Sequence, residues 1–220
     1  ASHPGFLENV REIASIYKIP LIFDEVITGF RLAIGGAQQY YGITPDLAVF
    51  GKAVGSGYPI GILAGKDDLM NLLDPATPDI NRVFSIGSFH GNALSTTAAL
   101  ANLKELAKPG TYAYLNSYGN HLREELSNVF KKHDIPTKMD GIGSIVDWFH
   151  TEDTITDYRS TIRTNLKLKS QLGNTLLKHD IFAGPGRFTS TTSHGDTEMQ
   201  MTIDAMDKSL SELEKLGELN

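Results

Sequence analysis

The sequence predicts an α/β protein, and three observations carry that reading. Short, continuously apolar runs at 21–23, 47–50 and 60–64 alternate with segments of helical periodicity. Each run is bracketed by proline, glycine or a carboxylate, and two of them stop on an ionisable residue. Apolar runs this short, without period-two alternation, are what strands buried on both faces look like. Such strands form parallel sheets covered by helices.

The first element is a helix over 4–17. Pro4 suits a first-turn position, Ser2 or His3 stands near the cap, and Phe6, Val10, Ile13, Ala14 and Tyr17 recur at helical spacing. Pro20 breaks that pattern, and Leu21-Ile22-Phe23 follows as a strand ending at Asp24-Glu25. Leu47 to Phe50 follows Pro45-Asp46 and ends at Gly51-Lys52; Ile60 to Ala64 lies between Pro59 and Gly65. All three read as buried, parallel strands. A helix rich in Ala and Leu spans Asn92 to Ala107, and Lys108-Pro109-Gly110 breaks the chain. A domain boundary is placed there, giving 1–108 and 109–220. The second part predicts helices over 112–133, 162–179 and 197–216, with strands at 142–149, 181–183 and 188–189 around Gly184-Pro185-Gly186. That makes a small α+β domain.

Composition narrows the function classes. With 220 residues, 40% hydrophobic and 21% charged, the chain is ordinary globular material for one large or two small domains. A net charge of -6 without a basic run leaves no electrostatic footprint for nucleic acid. The absence of cysteine excludes disulfides, thiolate catalysis and Cys-type zinc sites, and the seven histidines lack metal-ligand spacing, so no metal is expected. No apolar run approaches the roughly 20 residues of a membrane span. The start, Ala1-Ser2-His3, shows no signal-peptide pattern. A cytoplasmic location is expected.

The chemistry centres on two strand ends. Ligands of open α/β sheets bind beyond the C-terminal ends of the strands, where Asp24 and Lys52 stand. A lysine buried there would favour its neutral, nucleophilic amine, and a neighbouring carboxylate would pair with a cationic ring nitrogen. A Schiff-base lysine with a carboxylate partner is what a pyridoxal phosphate (PLP) site requires. Position alone does not decide this, because strands commonly end in charged residues where they meet solvent. Gly55-x-Gly57 is no dinucleotide fingerprint, and Gly51-Lys52 lacks the remainder of a phosphate-binding loop.

The wording around these residues is more specific. Leu21-Ile22-Phe23-Asp24-Glu25-Val26-Ile27-Thr28-Gly29-Phe30-Arg31 resembles the Asp-Glu-Val motif of class III aminotransferases, which are fold-type I PLP enzymes. Gly35 to Leu47 resembles the glutamate-1-semialdehyde aminomutase branch. Gly51-Lys52-Ala53-Val54-Gly55-Ser56-Gly57-Tyr58-Pro59-Ile60-Gly61 is similar to the family's lysine motif. Gly87-Ser88-Phe89-His90-Gly91-Asn92-Ala93 resembles its later Gly-Thr-x-x-Gly-Asn-Pro element.

The resemblance implies the second half of a large-domain sheet plus a C-terminal small α+β domain, with PLP as cofactor. It implies that Lys52 forms the Schiff base and moves the substrate proton, that Asp24 keeps the pyridine nitrogen protonated, and that Val26 packs on the ring. Ser88, where the family has threonine, would reach the cofactor phosphate of a neighbouring subunit, which implies a homodimer. Ala93 replaces the family's proline. Arg187 falls where many members carry an arginine that clamps the substrate carboxylate, although the aminomutase branch carries an acid thereabouts. The family's subunit is about twice as long, so the chain reads as its C-terminal half, with an N-terminal half as partner. The expected reaction is amino transfer between a small-molecule donor and a keto or aldehyde acceptor. The alternatives are intramolecular aminomutase chemistry and a non-catalytic fragment.

Overall fold

The computed structural model describes residues 3–184 and 186–219, so Ser2 and Pro185 lie outside the described residues. The chain divides into two compact units between Tyr112 and Ala113.

The N-terminal unit opens with α1 (Phe6–Ile16). Its N-cap is Gly5 in the left-handed conformation, φ 79°, and not Ser2 or His3 as the position of Pro4 suggests. Glycine takes that conformation without steric cost, and Glu8 in the first turn complements the helix dipole. Then come β1 (Ile22–Glu25), α2 (Gly36–Tyr41), β2 (Leu47–Gly51) and β3 (Gly61–Gly65), followed by α3 (Asp67–Met70) and α4 (Ala93–Leu106). The strand order is β1-β2-β3. Strand β1 runs parallel to β2, with Asp24 opposite Val49, but β3 pairs antiparallel to β2, with Phe50 opposite Ile62. The sequence predicts three parallel strands, and β3 corrects that. The backbone returns through a turn only nine residues long between Gly51 and Gly61. A parallel connection needs a crossover of a dozen or more. Most of β3 is also exposed, contrary to the burial expected of it.

One carboxylate ties this unit together. Asp46, just before β2, accepts from the Leu21 backbone N–H at 2.7 Å and from Arg11 of α1 at 2.8 Å, and pairs with Lys66 after β3 at 2.6 Å. The Leu21 N–H, then Lys66 and Arg11, hold its carboxyl well below the usual carboxylate range.

The C-terminal unit contains nearly all of α5 (Thr111–Lys132), then β4 (Lys138–Asp140), β5 (Ile145–Phe149), α6 (Tyr158–Thr161), α7 (Leu166–Lys178), β6 (Arg187–Thr189) and α8 (Asp196–Lys215). Its sheet is antiparallel in the order β4-β5-β6. Trp148, Phe130, Leu126, Leu172, Leu176 and Met206 form the fully buried centre. Helix α5 comes so close to the backbone before β5 that a β-carbon at Gly119 would collide with the Gly143 carbonyl. The strand expected at 181–183 is absent. Ala183 packs into the core while Phe182 is exposed, and β6 alone lies along that side of β5. The predicted strand 142–149 is shorter, starting at Ile145, and the predicted helix 162–179 starts at Leu166 under an Asn165 cap that accepts from Leu168 N–H at 2.9 Å.

Candidate functional site

Strands β1 and β2 place Asp24 and Lys52 at the same, C-terminal end of a parallel pair. Asp24 stands opposite Val49, and Lys52 follows Gly51, the last residue of β2. Side chains alternate across a strand. Phe23, Glu25, Ala48 and Phe50 therefore share one face, and Ile22, Asp24, Val49 and Gly51 share the other. The first face is closed: Phe50 packs on Phe30 with ring centroids 5.2 Å apart, and Gly29 leaves room for that ring. The second face is open in this chain. Both Asp24 and Lys52 are exposed.

The sequence reading expects Lys52 to be buried, and the structure corrects it. Strand β1 is the edge of the sheet, and Ile22, on the face of Asp24, is itself exposed. Asp24 Oδ1 accepts from the Val26 backbone N–H at 3.0 Å, which folds the chain back over the strand end and brings Val26 beside β2. A β-carbon on Gly51 would lie 3.3 Å from the Ile60 carbonyl and 3.6 Å from Val26 Cγ1, so Val26 and Ile60 approach the backbone closely at the end of β2. A carboxylate acceptor, an amine and an apolar side chain at the ends of one strand pair are the groups that a cationic heterocycle bearing a carbonyl would use.

Lys52 has left-handed backbone geometry, φ 48°, and opens a 3-10 turn over Lys52–Gly55. A non-glycine residue at positive φ is strained, and such strain concentrates at functional sites. Ser88 lies on an exposed turn just before α4. Asn92 caps that helix, accepting from the Leu94 and Ser95 N–H groups at 3.1 Å, so Ala93 is its first residue. Arg187 lies in the C-terminal unit, partly buried on β6 opposite Asp147. The structure thus groups Asp24, Val26 and Lys52 around β1 and β2. Ser88 is elsewhere in the same unit and Arg187 in the other unit.

Two residues not expected from the sequence support this group. Glu25 is 1% exposed. It accepts from the Ala37 N–H at 2.5 Å, the Gln38 N–H at 2.9 Å and the Thr28 hydroxyl at 3.1 Å. A β-carbon on Gly36, at φ 74°, would collide with that carboxylate. Glu25 therefore fixes the loop that follows Asp24 and Val26. Its only signal in the sequence is an acid ending an apolar run, which the adjacent Asp24 shares. The second is Asn102 on α4, whose Nδ2 donates to the Ala53 carbonyl at 2.7 Å and the Val54 carbonyl at 3.3 Å. Nothing in the sequence marks it.

The family model described as aminotransferase class III matches residues 1–176. The glutamate-1-semialdehyde 2,1-aminomutase 2 of Brevibacillus brevis is 40% identical over 205 residues, covering 92% of this chain and 47% of that protein. The corresponding aminomutase 2 of Staphylococcus haemolyticus is 36% identical over 212 residues, covering 95% and 48%. Among solved structures, an omega-transaminase from Sphaerobacter thermophilus superposes with a TM-score of 0.88 at 30% identity, covering 95% of this chain and 48% of its own. A β-phenylalanine aminotransferase from Variovorax paradoxus gives 0.86 at 28% identity, covering 97% and 49%. The fold is that of the fold-type I PLP-dependent transferases. The chain spans about half the length of the curated relatives it matches. It belongs to the class III aminotransferase family.

Proposed function

We propose that this chain supplies the lysine and the ring-nitrogen carboxylate of a PLP-dependent enzyme that transfers amino groups. The observation that carries the reading is the placement of Asp24 and Lys52 at one end of two parallel, paired strands. PLP, when bound, supplies an electrophilic carbonyl and an electron-withdrawing ring. The Lys52 amine holds the cofactor and moves the proton at the substrate carbon. The Asp24 carboxylate accepts the ring N–H and keeps that proton in place by its negative charge. Val26 packs on the ring face, and Glu25 holds the loop that sets Val26. In the assembled enzyme the Ser88 hydroxyl donates to a phosphate group, and Arg187 offers two N–H donors to a substrate carboxylate.

The proposed assembly is a homodimer whose subunit includes an N-terminal half, operating in the cytoplasm. Cover from that half or from the partner subunit would dry the face on which Asp24 and Lys52 are now exposed. The substrates are a small-molecule amino donor and a keto or aldehyde acceptor. Arg187 suits a substrate with a free carboxylate. The second reading is intramolecular aminomutase chemistry, favoured by the names of the relatives at 36% and 40% identity.

Borohydride reduction followed by peptide mass spectrometry tests the site. The cofactor mass is expected on the peptide containing Lys52, and its appearance on another lysine overturns the assignment. Half-reaction assays separate the two chemistries. A transferase converts the cofactor to its amino form with one amino acid and is returned by a separate acceptor. Rapid isomerisation of glutamate-1-semialdehyde with no other donor accepted would favour the second reading.

A further inference from the structure

We propose that Asn102 is a positioning residue that fixes where the Lys52 side chain emerges. The inference rests on the reading of Lys52 as the cofactor-bearing amine. Strand β2 ends at Gly51, and the chain then turns abruptly: Lys52 is at φ 48°, the 3-10 turn runs to Gly55, and Ser56 closes it, also at φ 48°. Two non-glycine residues at positive φ within five positions need support from outside the turn. Part of it comes from below. Val54 is fully buried, and a β-carbon on Gly55 would lie 2.8 Å from Ile60 Cγ2, so the turn rests closely on the chain leading into β3.

The remaining support is polar and comes from α4. Within the turn, the Ala53 carbonyl accepts only a long bond, 3.3 Å, from the Ser56 N–H. The Asn102 amide donates to that same carbonyl at 2.7 Å and to the next one, of Val54, at 3.3 Å. One side chain, 48 or 49 residues distant in sequence, thus holds the 53–54 and 54–55 peptide units, the second and third after Lys52. Holding those units anchors the 3-10 turn on the C-terminal side of Lys52 and so restricts the backbone from which its side chain emerges. A rigid helix, rather than the lysine's own flexible stem, then determines where the amine can reach. The effect on Lys52 acts through the backbone, so Asn102 touches neither substrate nor cofactor.

The test uses Asn102→Ala, with Ala99→Gly as a control. Ala99 is buried on α4, and glycine there loosens the helix without removing the amide. In the cofactor-free protein, amide hydrogen exchange over 53–58 is expected to speed up about tenfold in Asn102→Ala, the scale of one lost hydrogen bond. In the cofactor-loaded protein, the pH midpoint of the visible absorbance from the Lys52-bound group is expected to shift, and kcat to fall roughly tenfold with KM nearly unchanged. Ala99→Gly should lower the thermal midpoint and leave the exchange and the absorbance midpoint in place. Should Asn102→Ala not fold, Asn102→Ser, which is too short to reach both carbonyls, is read in the same way. Wild-type exchange and absorbance in the Asn102 variant would overturn the proposal, as would equal shifts in the control. Lys52→Ala separates the two levels. If that variant keeps the lysine-bound absorbance, the functional reading has failed and this inference with it. If it loses the absorbance while the Asn102 variant behaves as wild type, only this inference has failed.

Discussion

The two units of this chain differ in how much apolar surface they bury. Residues 113–219 close around an apolar centre in which Trp148, Leu126, Leu172, Leu176 and Met206 are shut off from solvent. Residues 3–112 bury little beyond Leu32, Phe50, Val54 and a few alanines, while Phe6, Ile16, Tyr17, Ile22, Phe84, Ile86 and Phe89 are more than half exposed. What orders the N-terminal unit instead is a pair of carboxylates. Asp46 ties α1, β1 and the end of β3 together, and Glu25 ties the strand end to α2. Apolar burial is non-directional and gives bulk stability, whereas hydrogen bonds to a carboxylate fix particular backbone groups. The unit that carries Asp24 and Lys52 has the directional kind of support.

The comparison fails most visibly if chemistry and stability are not separable. Lys52→Ala is expected to reduce amino transfer by roughly 10²–10⁴-fold or more, the range of a lost proton-transfer group. Its thermal midpoint without cofactor should equal the wild type's, because the side chain is exposed. A large loss of stability would mean that the lysine is part of the unit's framework.

Trp148→Ala should cost about 3–5 kcal/mol, the usual scale for truncating a fully buried aromatic. Urea unfolding followed separately in the two units would place that loss in residues 113–219. Asp46→Ala should cost about 1–2 kcal/mol in the other unit, because it leaves the Leu21 N–H without its acceptor and removes the partner of the solvent-accessible Arg11 and Lys66. Hydrogen exchange over 21–23 would show it. If Asp46→Ala is silent and the unit unfolds only with residues 113–219, the carboxylate account of its order is wrong.

The last expected effect is in pH dependence. His150 is buried against Phe130, with Thr137 Oγ1 3.1 Å from its Nδ1. Burial, assisted by the Lys169 charge, lowers its pKa from 6.5 to about 4. Between those values the unfolded chain binds the proton and the folded unit does not, so stability is full above 6.5 and declines as the pH falls towards 4. The decline amounts to about 2–3 kcal/mol, and His150→Gln should flatten it. The Asp46 contribution has the opposite chemical origin and a lower window. A carboxylate held below its ordinary value of 3.8 gives stability that persists until the pH drops beneath that value. Acid should therefore weaken residues 113–219 first. The reverse order in an acid titration would count against both assignments.

Particular elements show how far the sequence can be read. The strand ends at Asp24 and Lys52 were legible because an apolar run stops abruptly at each, and the length of that run is local information. The longest helices were legible within a residue or two, since their periodicity repeats over many turns: the predicted 112–133 is observed as Thr111–Lys132, whereas the shorter 162–179 begins four residues late, at Leu166. Short elements carry too few residues for a period, and α2 and β4 went unseen for that reason. An apolar run also has no direction, so β3 could not be distinguished from a parallel strand until the short turn before it was placed.

The sequence by itself determined the α/β class, the strand-end lysine and carboxylate, and the motif wording that links the chain to its family. All of these lie within short windows, and local pattern is all that a sequence displays directly. Only the tertiary structure decided which groups meet. It pairs Asp46 with Arg11 and Lys66, sets Glu25 at the start of α2, and brings Asn102 onto the carbonyls that follow Lys52. Those contacts join residues far apart along the chain, and each depends on a backbone path fixed by the whole unit. A single asparagine on a helix has the same local appearance whether it faces water or reaches the carbonyls of Ala53 and Val54.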